Sequence, residues 1–143
     1  MKEHQLTVLQ PAAVEVLWPD LYDLLFPAEK FAHGEFLIED VLKMIQDEKA
    51  FIAVMSHRKH IDLAIVFEVM VYPRKTILHV LAMGGKGFDV VMNSCWPDLE
   101  RLAKCVGASS IRAAVRPSML RYARRVAPEA KEVYTVVERP LGE

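Results

Sequence analysis

Two ionisable side chains stand inside otherwise apolar stretches of this sequence: Glu68, within Ile61 to Tyr72, and His79, within Thr76 to Met83. A carboxylate beside an imidazole can act as a base, because each perturbs the proton affinity of the other. Whether the two meet depends on the turn between them. Pro73 suits the second position of a type I turn, and a four-residue loop from Tyr72 to Lys75 would pair Val71 with Thr76. Counting back from that pair puts Glu68 opposite His79 on one face. The same arrangement also suits a buried structural ion pair, or exposure at a sheet edge.

A second candidate is the run Gly84-Gly85-Lys86-Gly87, followed by Phe88 where a helical pattern begins. Glycine lets a backbone approach closely, and amides at a helix N-terminus point at an anion such as a phosphate. Lys86 would add positive charge. Glycine-rich turns also exist simply to reverse the chain. Further on, Arg116, Arg121, Arg124 and Arg125 offer phosphate contacts, with Arg121 and Arg125 on one helix face at i,i+4 spacing. Tyr122 is the sole aromatic among them, so nucleic-acid recognition is not the expected role and a solvated helix face is. His57 and His60 flank two cations, Arg58 and Lys59, which opposes metal binding. No metal site is expected. Neither a Ser-His-Asp arrangement nor a P-loop is recognisable.

The elements that must position these groups follow from periodicity. Gln5 to Leu9 reads as a short strand, and Val14, Leu17, Leu21, Leu24 and Leu25 as a helix after Pro11. Phe36, Leu37, Val41, Leu42 and Ile45 form a second helical stripe. Ala50 to Met55, Ile61 to Tyr72 and Thr76 to Met83 read as a meander, the last two apolar on both alternations and so covered on both faces. Met92 to Val106 is helical, with Gly107 as its stop. Ser110 to Val115 is a strand, Ser118 to Val126 a helix, and Glu132 to Val137 a last strand. The two copies of Trp-Pro-Asp-Leu, at Trp18 and Trp96, each suit a point where a helical turn begins or restarts.

At 143 residues, with 52% apolar and 26% charged side chains, the chain suits one folded α/β domain spanning residues 1–143. Its net charge of −1 hides an asymmetry. Residues 1–50 carry four basic side chains against ten acidic ones; residues 51–143 carry fourteen against nine. A basic half suits a phosphate-bearing ligand, or charge complementarity within the fold. The start MKEHQL has no apolar stretch behind it, and no run approaches the roughly 20 residues that span a bilayer. Cys95 and Cys105, ten residues apart on one predicted helix, lie about 15 Å from each other and cannot bridge.

The order of elements, with a glycine turn between the fourth strand and the third helix, resembles the GNAT acetyltransferase superfamily. In that family this turn carries an (Arg/Gln)-x-x-Gly-x-(Gly/Ala) pattern that binds the pyrophosphate of acetyl-CoA. Gly85-Lys86-Gly87 matches Gly-x-Gly, while the Arg/Gln position falls on Ala82. The chain more closely resembles GNAT-like proteins of tailed bacteriophages, over residues 36–126. The shared features are Ile38-Glu-Asp-Val41, Tyr72-Pro73, Gly84-Gly85, a helix end from Ala103 to Ala108, and a strand closing on Arg116. The resemblance implies a mixed sheet of about six strands flanked by about four helices, splayed where the fourth and fifth strands part. It implies acetyl-CoA as donor, held by Gly84, Gly85, Lys86, Gly87 and Phe88. It also implies a proton donor to the leaving thiolate at Tyr122, although Val126-Ala127-Pro128 replaces the family's Gly-Phe continuation. Glu68 and His79 are the matching base candidates. Two functions follow: an N-acyltransferase, or a non-catalytic scaffold with a virion or host protein as partner; the C-terminal arginines add a third class, a weak nucleic-acid-binding protein. The implied location is the host-cell cytoplasm, with the virion as the second.

Overall fold

Three consecutive segments with apolar residues on both alternations build the centre of the molecule. The computed structural model describes residues 5–85, 88–115 and 117–142. Five strands form one sheet in chain order: β1 (Gln5–Val8), β2 (Phe51–His57), β3 (His60–Val71), β4 (Thr76–Gly85) and β5 (Ser110–Ala113). The first four are antiparallel, and β5 joins β4 in parallel. The helices are α1 (Pro11–Leu25), α2 (Ile38–Gln46), α3 (Phe88–Cys105) and α4 (Pro117–Val126), with a 3-10 segment at Phe26–Phe31 after α1. Among the described residues no helix is long and apolar enough to cross a membrane.

The mixed α/β sheet is the expected one, with a correction at its end. Residues 132–137, read as a last strand, have no regular structure. Their Val, Thr and Tyr content favours a pleated surface, but such preference holds a strand only where a partner edge and a packing surface exist. Both Trp-Pro-Asp-Leu copies lie within the helices read around them. Pro19 lies inside α1 and Pro97 inside α3, rather than at helix starts.

The doubly covered strands are as the alternation requires. Ile52, Val54, Ala64, Val66 and Ala82 pack with Val14, Leu21, Leu25, Val41 and Ile45 of α1 and α2. Out of phase by one residue, Ala53, Met55, Leu63, Ile65, Phe67, Leu78 and Val80 pack with Cys95, Leu99 and Ala103 of α3. Each fully buried Leu, Ile or Phe in these layers contributes about 1.5–3 kcal/mol.

Turn chemistry sets the register. Arg58 and Lys59 close the β2–β3 hairpin with φ of 50° and 68°, the signs a two-residue type I′ turn demands. The loop of residues 72–75 is closed by the Tyr72 N–H donating to the Lys75 carbonyl at 2.8 Å, and Val71 pairs with Thr76. Between β3 and β4 the register passes from Phe67–Val80 to Val66–Ala82, leaving Leu81 as a bulge. A bulge bends and twists its strand. The β4–β5 ladder runs from Ile77–Ser110 to Val80–Ala113, where β5 ends, so β4 past the bulge has no β5 partner among the described residues.

Candidate active site

The register places Glu68 directly opposite His79, and their side chains meet: Nδ1 of His79 lies 2.9 Å from Oε1 of Glu68. Both are partly buried, with side-chain exposures of 31% for Glu68 and 21% for His79. They sit one residue out of phase with Phe67, Leu78 and Val80, which face α3. Glu68 and His79 therefore occupy the opposite face, the one α1 and α2 cover further along the strands. With Nδ1–H donating to the carboxylate, the lone pair is left on Nε2. The carboxylate orients the ring, and the ring is left able to accept a proton.

The next strand extends this row. His79 is in register with Arg112 of β5, and parallel neighbours project to the same face. Carboxylate, imidazole and guanidinium thus line up across β3, β4 and β5. Arg112 Nη1 donates to the Tyr134 hydroxyl at 3.2 Å. The guanidinium carbon lies 5.3 Å from the Tyr134 ring centroid and 6.0 Å from that of Tyr72. One residue beyond this row the β4–β5 ladder ends, so the row borders the split. Sequence reasoning missed Arg112. The signal was Ile111, which must face the core and so turns Arg112 away from it, but no tight turn links β4 to β5 to give their register.

The glycines are placed differently from expectation. Gly84 and Gly85 are the last residues of β4, paired with Ala64 and Leu63, and not a turn. A Cβ at Gly84 would collide with the carbonyl oxygen of Leu24, and one at Gly85 with that of Asp62. Packing against α1 and β3 therefore accounts for both glycines. Lys86 and Gly87 lie outside the described residues, as does Arg116. Phe88 opens α3. Ala82, at the family's Arg/Gln position, is 8% exposed within the α1–α2 core and offers neither charge nor donor. Past Val80, β4 has no β5 partner among the described residues, and α3 begins at Phe88. An extended amide-bearing arm suits a strand edge left open past a bulge, and a pyrophosphate suits the start of α3.

Tyr122 of α4 packs against the core on the α3 side, with its hydroxyl oxygen buried. The structure brings Glu68 and His79 together and leaves Tyr122 across the sheet from them. Arg121, Arg124 and Arg125 are exposed on α4, with Arg124 4.0 Å from Glu132. Cys95 is buried, Cys105 is exposed, and neither forms a disulfide. Burial, aided by the nearby Asp98 charge, pushes the Cys95 thiol up from the ordinary 9.0 to about 11. Among the described residues no group of three or more His, Cys, Asp or Glu is placed to hold a metal.

No protein-family model matches the chain, and no curated protein does. Solved structures do. An aminoglycoside acetyltransferase from an uncultured soil metagenomic sample, in complex with sisomicin, superposes with a TM-score of 0.71 at 14% identity, covering 98% of this chain and 97% of that one. A GNAT family acetyltransferase from Staphylococcus aureus gives 0.67 at 11% identity, covering 98% and 100%. The fold is that of the GNAT acetyltransferases. A ribosomal-protein-alanine N-acetyltransferase from Brucella melitensis shares it as well, with a TM-score of 0.67 at 10% identity over 97% and 99% of the two chains.

Proposed function

We propose that the protein is an N-acetyltransferase using acetyl-CoA as donor, with Glu68 and His79 as its base. The observation that carries this reading is the 2.9 Å Glu68–His79 contact on the face bordering the β4–β5 split. Acetyl-CoA, when bound, supplies an acetyl thioester whose carbonyl carbon accepts a nitrogen and whose sulfur departs. His79 Nε2 takes the proton that the attacking amine loses, and the Glu68 carboxylate stabilises the imidazolium that results. The departing thiolate then takes that proton from the His79 imidazolium, because Tyr122 lies on the opposite face with its hydroxyl oxygen buried. Backbone amides at the start of α3 and along the edge of β4 past Leu81 hold the donor.

The second reading has its own observation. Ala82 is a core residue, and packing alone explains Gly84 and Gly85. These favour a GNAT scaffold used without catalysis, in a virion or host interaction. Titration calorimetry with acetyl-CoA separates the two. Saturable binding is expected, together with a loss of roughly 100-fold in kcat for Glu68→Gln at unchanged donor affinity. Absence of binding at millimolar acetyl-CoA would sink the enzyme reading and leave the scaffold.

A further inference from the structure

We propose that Arg112 anchors a carboxylate on the acceptor, so that the substrates are small amines carrying a carboxylate close to the nitrogen. The inference rests on Glu68–His79 being the base. Its ground is the register: His79 and Arg112 are partners on adjacent strands and project to one face, with backbones about 4.8 Å apart. An amine at His79 and a carboxylate at Arg112 would then be separated by few bonds, as in an α- or β-amino acid.

The state of the guanidinium points the same way. Among the described residues no Asp or Glu pairs with Arg112, and Glu68 is engaged by His79 instead. The aromatic rings of Tyr72 and Tyr134 lie against the guanidinium, and one donor is satisfied by the Tyr134 hydroxyl. Rings favour the faces of a guanidinium and leave its in-plane donors, whose fork matches a carboxylate in two parallel bonds. A phosphate also suits such a fork, but its higher charge calls for a second cation, and the row supplies a carboxylate in that place.

The test begins without the donor. N-acetylglycine, N-acetylglycinamide and 2-aminoethylphosphonate are titrated into the full chain while the His79 Hε1 resonance is followed by NMR. N-acetylglycine should shift the resonance with an affinity at least about tenfold above that of the amide. Arg112→Ala should abolish that preference, and Arg112→Lys should restore part of it, with thermal unfolding and acetyl-CoA binding as in the parent. In turnover, glycine and β-alanine should surpass their amides by about tenfold in kcat/KM, with the loss in Arg112→Ala falling on KM. Equal affinity for acid and amide, a preference that survives Arg112→Ala, or tighter binding of the phosphonate would overturn the assignment. Binding of N-acetylglycine without binding of acetyl-CoA would remove the acetyltransferase reading and leave the anchor standing.

Discussion

The two long helices, α1 and α3, carry the same four residues, Trp-Pro-Asp-Leu, yet they are fastened to the sheet by different means. In α1 the Asp of this segment, Asp20, is exposed, and the helix is seated through its backbone: the Leu24 carbonyl fills the place where a side chain on Gly84 would stand. In α3 the corresponding Asp98 is 6% exposed. One of its oxygens accepts from Arg101 at 2.7 Å, and the other from the Leu6 N–H of β1 at 3.4 Å. The Leu of each copy, Leu21 or Leu99, is buried in its own layer. Identical letters therefore set the apolar anchor, while the facing sheet decides what the charge does.

Breaking each fastening should give effects of different size. Gly84→Ala is expected to cost the most, above about 3 kcal/mol, because both colliding groups are backbone and one must move. A stability within 1 kcal/mol of the parent in urea unfolding would show that α1 is not seated there. Next is the α3 layer at high pH. The Cys95 thiol stays neutral in the fold to about 11, while the unfolded chain releases that proton from 9.0 upward. Stability should therefore fall as pH rises through that window, by about 1.4 kcal/mol per unit. Cys95→Ala should lack this component when unfolding is measured at pH 9 and 11; parallel pH dependences would refute it. Removing the carboxylate itself, by Asp98→Ala, should cost about 1–3 kcal/mol. The matched change Asp20→Ala should stay within about 0.5 kcal/mol. Equal losses at the two positions would erase the distinction between the helices.

Much of the fold was legible because short-range chemistry specified it. Pro73 in a four-residue loop was enough to align β3 with β4, and that alignment brought Glu68 to His79 without any knowledge of the rest. Double coverage of both strands was visible in their unbroken apolar runs. Four features were not legible, each for a physical reason. Leu81 bulges without a glycine or proline to announce it, since an extra apolar residue between two covered faces leaves the pattern unchanged. Gly84 and Gly85 looked like a turn because glycine marks turns and close approaches alike, and only the position of Leu24 and Asp62 tells them apart. Residues 132–137 have the composition of a strand, but pairing is a property of two segments. Arg112 was missed for the same reason: its place beside His79 is written in a parallel ladder that no local turn encodes.

The bulge at Leu81 has a consequence for what length means in this chain. His79 and Ala82 face one way, with Val80 and Met83 facing the other, so strict alternation would hold from Thr76 to Gly85 if Leu81 were simply omitted. Such a strand would be straighter, because a bulge bends and twists the strand that carries it. The two faces of β4 past Leu81 are thus reset by surplus rather than by removal: β4 carries one residue more than its pairing with β3 requires.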